Sequence, residues 1–302
     1  MRLRRRIPAP VPVMFVAVLT TAPDASGPAH VPFDGLRRAW QGGELRRLGL
    51  GAAEFTMEAM PIGLGAMREE WGLRGVDVNV VPEQDRRKRL LLADMDSTMI
   101  GQECVDELAA EAGVGALVAA ITARAMNGEI GFEGALRERV ALLEGLEVAV
   151  IDHVLDRRIT PMGGARTLLA TMRAEGAHAA LVSGGFTAFT GPVAAMLGFH
   201  EHRANVLEVV EGRLTGRVRE PILGREAKVA ALEEIAARLV VPESGAIAVG
   251  DGANDLDMLA RAGMGVALHA KPAVRARAAL RIDHGDLTAL LYLQGYRRDE
   301  FR

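Results

Sequence analysis

Four short, uninterrupted apolar runs constrain this chain more than any other feature. Leu90–Ala93, Ala179–Val182, Ala246–Val249 and Gly265–Leu268 carry no polar residue between their ends. A strand that is apolar on both faces belongs in a parallel sheet covered on both sides. Helix-like stretches at Ala165–Ala174, Ala188–Leu197, Glu226–Leu239, Leu256–Ala262 and Ala273–Leu280 lie between or after them. This alternation predicts a doubly wound α/β fold.

One connection breaks the rhythm. From Asp94 to the helix near Gly163 is about 70 residues, where a βα loop takes roughly 2–6. Its sequence reads as helices at Val105–Ala112, Ala116–Asn127, Phe132–Leu143 and Val148–Asp156. The expectation is a helical cap over about 100–160, inserted at the carboxyl end of the first strand. Open α/β sheets bind their ligands there, and an insertion at that place reads as a lid.

Upstream, residues 13–81 read as βαββαβ. The elements are Val13–Leu19, Phe33–Gln41, an ambiguous Glu44–Gly49, Ala53–Met57, Ile62–Trp71 and Val76–Val81. Pro82–Lys88 is charged and carries a proline, so it reads as a linker. The division expected is an α+β unit over 1–84 and a larger unit over 88–296. Met1–Arg6 is basic and leads into an apolar stretch, the outline of a secretory leader. Pro8, Pro10 and Pro12 break the helix such a leader forms. The segment is read instead as a ragged terminus leading into the first strand.

Composition excludes several classes. Hydrophobic residues are 49% and charged residues 25%, an ordinary globular balance. Thirty-six Lys and Arg against 39 Asp and Glu give a net charge of −3, so no nucleic-acid partner is expected. No apolar run is long enough to cross a membrane. The one cysteine, Cys104, excludes an internal disulfide and reads as a small buried hydrophobe. A cytoplasmic protein is expected.

The chemistry sits at the strand ends. The first gives Asp94-Met95-Asp96-Ser97-Thr98, another Ser183-Gly184-Gly185, a third Gly250-Asp251-Gly252-Ala253-Asn254-Asp255. Lys228 precedes the third on a helix. In a parallel sheet these ends face one crevice. Crowded carboxylates need a cation, and hard oxygen ligands beside phosphate suit Mg²⁺. Ser183, with the amides of Gly184 and Gly185, offers donors to phosphate oxygens, and Lys228 offers charge. Asp94 is the natural nucleophile for an aspartyl-phosphate. Asp96 is placed to protonate the leaving oxygen, which requires a raised pKa. Taken singly, these features have plainer readings: an Asp N-cap, a glycine turn, a solvated helix lysine.

DMDST, SGG, a lysine and GDGANDL, in that order, resemble the motifs of the haloacid dehalogenase superfamily. Within it the chain is most similar to the members that dephosphorylate O-phospho-L-serine. The resemblance spans roughly 88–290. It implies that Asp94 is nucleophile and metal ligand, and that Asp96 is general acid/base with its backbone carbonyl on the metal. It makes Asp251 the third ligand, with Asn254 and Asp255 near the metal water and phosphate. Ser183, Gly184 and Lys228 hold phosphate. The segments at 101–109 and 132–140 resemble the cap entry and the substrate-reading helix. Glu103 is then the counter-charge to the substrate ammonium, and Arg139 the fork for its carboxylate. Arg137 competes with Arg139 for that role. The N-terminal unit resembles an ACT-like domain, which implies a homodimer contact or amino-acid regulation. Three alternatives stay open. They are hydrolysis of another small phosphomonoester, phosphotransfer to an alcohol such as homoserine, and a binding protein with an idle site.

Overall fold

The computed structural model describes residues 14–23, 33–126 and 129–302. Met1–Val13, with the leader-like reading, lie outside the described residues, as does the Met126 side chain.

The chain opens with β1 (Phe15–Thr21), α1 (Phe33–Ala39), β2 (Arg46–Gly49), β3 (Ala52–Met57), α2 (Leu64–Gly72) and β4 (Val76–Pro82). This is the expected βαββαβ order, and the ambiguous Glu44–Gly49 stretch supplies β2. The four strands form an antiparallel sheet in the order β2-β3-β1-β4. Strand side chains alternate between faces, and here both faces are covered. Ala17 and Leu19 of β1 pack with Phe33, Leu36 and Trp71. Val16 and Val18 join the larger core beyond.

The second sheet begins at β5 (Leu90–Ala93). The cap helices follow: α3 (Cys104–Glu111), α4 (Gly115–Met126), α5 (Phe132–Ala141) and α6 (Ala149–Arg157). Then come α7 (Ala165–Ala174), β6 (His178–Phe186), α8 (Thr187–Leu197), β7 (Glu201–Asn205), β8 (Leu207–Val210) and β9 (Arg213–Val218). The chain finishes with α9 (Arg225–Arg238), β10 (Ala246–Gly250), α10 (Leu256–Arg261), β11 (Met264–Leu268), α11 (Pro272–Arg275), β12 (Leu280–Ile282) and α12 (Ala289–Leu293).

Six parallel strands lie in the order β12-β11-β10-β5-β6-β7. Leu91, Ala93, Ile247 and Val249 face one layer with α7, α8 and α12. Leu90, Leu92, Ala246 and Ala248 face the other with α9 and α10. The continuous apolar runs are thus explained by a sheet buried on both sides. Among the described residues, no helix is long and apolar enough to cross a membrane.

Three features correct or extend the sequence reading. The helix expected over Ala273–Leu280 stops at Arg275, because Leu280 and Ile282 are needed as the edge strand β12. The cap is not only the insert: the β8–β9 hairpin packs on it. Gly145 donates to the Leu214 carbonyl at 2.8 Å, Leu214 donates to the Leu146 carbonyl at 2.9 Å, and Arg213 pairs with Glu147 at 2.8 Å. The stretch Pro82–Lys88 is a pinned seam. Lys88 Nζ donates to the carbonyls of Asp85 and Ser244 at 2.7 and 2.8 Å, and Arg86 meets Glu54 of β3 at 2.8 Å.

Candidate active site

Parallel strands deliver their carboxyl ends to one edge, and three of them meet here. Asp94 follows β5, Ser183 and Gly184 lie near the end of β6, and Asp251 follows β10. A single pocket is lined by Asp94, Asp96, Ser183, Gly184, Asp251 and Asn254 from the sheet side. Glu103, Phe132 and Arg139 line it from the cap side.

At its floor Asp94, Asp251 and Asp255 are all buried, with ligand oxygens within 4.8 Å of one another. Lys228 comes up from α9 between two of them. Its ammonium is fully buried and lies 2.9 Å from Asp94 Oδ2 and 2.6 Å from Asp255 Oδ1. The solvated-lysine reading is therefore excluded. Burial alone would lower its pKa, but Asp255 and Asp94 reverse that and push it above the usual lysine range. Asp255 is further fixed by the Gly252 amide at 3.0 Å. Glycine at 250 is required for this, since a Cβ there would lie 2.4 Å from the Asp255 carboxylate.

One buried ammonium does not offset three carboxylates. Burial and then Asp94 push Asp251 up to about 6, and the same two causes raise Asp255. Asp251 has the loosest partners of the three: Thr98 Oγ1 at 3.4 Å and Lys271 Nζ at 3.7 Å. Hard oxygen donors with uncompensated negative charge fit a divalent cation.

Asp96 stands apart from that cluster. Its carboxylate accepts the Cys104 N–H at 3.2 Å, at the entry to α3. Burial, then the neighbouring Glu103, push its pKa to about 7. The raised value expected from the sequence is therefore present. Cys104 is buried, and burial drives its thiol well above the usual range, so it is inert packing. Glu103 is held by Ser97, whose hydroxyl donates to Oε1 at 2.9 Å. Ser97 achieves this from a left-handed backbone, φ 53°, a conformation that persists only where surroundings impose it.

Arg139 hydrogen bonds from Nε to the Ala135 carbonyl at 3.2 Å and leaves its remaining donors at the pocket. Arg137 does not compete: it faces away and pairs with Glu133 at 3.2 Å and Glu220 at 2.7 Å. The expectation of two amides from the Gly pair is halved. The Gly185 N–H is already donated to Ser183 Oγ at 2.9 Å.

Three participants escaped the sequence reading. Asn205 is buried and bonds the Gly184 carbonyl at 2.8 Å and the Leu223 amide at 2.7 Å, holding the end of β6 at Gly184. Ser97 stood in a quoted motif without a role. Lys271 lines the pocket but follows β11, outside every motif. His269 hydrogen bonds the Gly285 carbonyl at 2.8 Å.

A family model described as haloacid dehalogenase-like hydrolase matches residues 91–260. The chain belongs to this family. Its phosphatases generally use a divalent metal ion, consistent with the acidic cluster. The chain is similar to a phosphoserine phosphatase of Streptomyces coelicolor, 46% identical over 238 residues, covering 78% of this chain and 58% of that one. It thus spans little more than half that relative's length. A haloacid dehalogenase family hydrolase from Salmonella enterica serovar Typhi matches with a TM-score of 0.83 at 31% identity, over 93% of this chain and 98% of the other. A substrate-bound phosphoserine phosphatase complex matches with a TM-score of 0.64 at 39% identity, over 68% of this chain and 97% of that one.

Proposed function

We propose that this haloacid dehalogenase-like hydrolase removes phosphate from O-phospho-L-serine with Mg²⁺ as its cation. The observation that carries the reading is one pocket with an acid cluster on its floor and an opposed carboxylate and guanidinium, Glu103 and Arg139, on its cap side. A zwitterion needs both signs above its phosphate, and a sugar phosphate needs neither. The names of similar proteins support the same substrate.

In this reading Asp94 attacks phosphorus, and the bond from phosphorus to the seryl oxygen breaks as the bond to Asp94 forms. Asp96 gives its proton to the departing oxygen. Asp96, now ionised, takes a proton from water as that water attacks phosphorus, and the bond to Asp94 breaks. Inorganic phosphate leaves and Asp94 is restored. Lys228 stays charged between Asp94 and Asp255 and offsets their repulsion. Ser183 and Gly184 position phosphate, and Asn254 and Asp255 support it. Asp94, Asp251 and the Asp96 carbonyl would hold the cation. The cation supplies charge neutralisation between carboxylates and phosphate.

The division into units over 1–84 and 88–296, the ACT-like nature of the first, contact between two copies through it, and a cytoplasmic setting belong to the same proposal. The test is phosphate release from O-phospho-L-serine, phosphothreonine, phosphohomoserine and sugar phosphates, with and without Mg²⁺. Phosphoserine should lead, and chelation or Asp94→Asn should abolish release. A preference for sugar phosphates would overturn the substrate assignment.

A further inference from the structure

The pocket sets an electrostatic difficulty for its proposed substrate. Four carboxylates line it, from Asp94, Asp96, Glu103 and Asp251. Lys228 is fully buried, is engaged by two of the acidic residues, and does not line the pocket. Of the described residues lining the pocket, Arg139 and Lys271 carry the positive charges. On the functional reading above, Arg139 is taken by a carboxylate. A phosphate dianion must still pass the acidic wall.

Lys271 is placed to meet it. Its side chain is 55% exposed, and its ammonium lies 3.7 Å from Asp251 Oδ2, longer than a hydrogen bond. It also lines the adjoining cleft with Arg139, Arg225 and Asn254, so it stands where the pocket opens outward.

The backbone beneath it is built rather than loose. The Lys271 amide donates to the Asp251 carbonyl at 3.3 Å. His269 turns the chain in the left-handed region at φ 44°. Its amide donates to the Ile282 carbonyl at 2.8 Å, and its Nε2 bonds the Gly285 carbonyl at 2.8 Å. Pro272 then fixes the start of α11. An exposed lysine on a fixed loop, aimed at an acidic pocket without a close partner, is more than a solvated surface charge.

We propose that Lys271 is a substrate-binding residue, whose ammonium leaves Asp251 for a phosphate oxygen of the entering phosphomonoester. This inference rests on the reading of the pocket as a phosphomonoester site and adds the residue that admits the dianion.

The test compares wild type with Lys271→Gln, Lys271→Arg and a control that lines neither cleft, Arg277→Gln. It reads kcat and KM for O-phospho-L-serine at saturating Mg²⁺ across ionic strength from about 0.01 to 0.15 M, where the screening length falls from roughly 30 to 8 Å. Calorimetry measures the affinity for inorganic phosphate. Lys271→Gln should lose about ten-fold in kcat/KM at low salt, mostly through KM, and flatten the salt dependence. Its phosphate affinity should fall in parallel. Lys271→Arg should recover most of both, and Arg277→Gln should keep the wild-type salt slope. Wild-type KM, phosphate affinity and salt slope in Lys271→Gln would overturn the proposal. So would an equal change in Arg277→Gln, which would make net charge the cause. If wild type leaves phosphoserine intact, the substrate reading falls. The phosphate titration then decides for Lys271 alone: weaker binding in Lys271→Gln supports it, and unchanged binding overturns it.

Discussion

At the scale of single residues, the proposed function gives two carboxylates two positions apart opposite tasks, and their surroundings differ. Asp94 lies 2.9 Å from the buried Lys228 ammonium. Asp96 has no such partner, and burial beside Glu103 raises it to about 7. An acid with that value is protonated below about pH 7 and loses its proton above it. The rate of seryl-oxygen departure should therefore fall about ten-fold per pH unit once pH exceeds roughly 7. Rapid-quench measurement of serine release reads this step, and a rate unchanged between pH 7 and 9 would remove Asp96 from the role. Asp96→Asn should lower the same step by about 10²–10⁴. Ser97→Ala is a milder change. It frees Glu103 and should raise KM for phosphoserine several-fold while changing kcat less.

At the scale of elements, the two sheets meet through side chains. The short edge strand β12 faces β4, and Asn79 of β4 completes a ladder there with its own amide. Its Nδ2 donates to the Arg281 carbonyl at 2.7 Å, and its Oδ1 accepts the Arg281 amide at 2.9 Å. Asp77, two residues earlier on the same face, accepts the amides of Asp283 and Gly285, each at 2.7 Å, and that of His284 at 3.1 Å. These contacts cover an edge that would otherwise invite mispairing. Asp77→Ala would leave three backbone donors without their acceptor. Each such loss costs roughly 1–3 kcal/mol, so urea denaturation should report at least that much destabilisation. A change within about 0.5 kcal/mol, as at ordinary surface sites, would show that the seam contributes nothing. This seam was not legible in the sequence. Asp77 and Asn79 break an apolar run, but nothing in a single chain says that their partners lie some two hundred residues on. The edge strand β12 was missed for the same reason: its three residues follow an alanine-rich stretch that suits a helix, and only pairing with β11 makes them a strand. The central strands were legible because double burial leaves an uninterrupted apolar run. The polar β7, at the opposite edge, left no such trace.

At the scale of the whole molecule, the active-site layout was legible because doubly wound sheets send their strand ends to one edge. Knowing which residues follow which strand is then enough to bring Asp94, Ser183 and Asp251 together. Which side chain supports which was not legible: Ser97 on Glu103 and Asn205 on Gly184 depend on local backbone geometry that no spacing encodes. The same layout concentrates negative charge at the floor, with consequences for stability. Asp251 has its folded pKa raised to about 6, above the ordinary carboxylate value. A raised carboxylate favours folding where it is protonated, so the metal-free protein should lose stability as pH rises from about 4 to 6. A divalent cation binds the ionised form and opposes that loss. The Tm gained on adding Mg²⁺ should consequently be larger at pH 7.5 than at pH 5, and an equal gain at both would argue against binding at these carboxylates. The claim on which the account turns is that phosphate passes through Asp94. The most direct measurement is an acid quench of the wild-type protein turning over ³²P-labelled O-phospho-L-serine, followed by peptide mapping. Transfer through Asp94 requires a hydroxylamine-sensitive label on the peptide that contains Asp94, absent in Asp94→Asn. Turnover with no label, or with label on another residue, would contradict it.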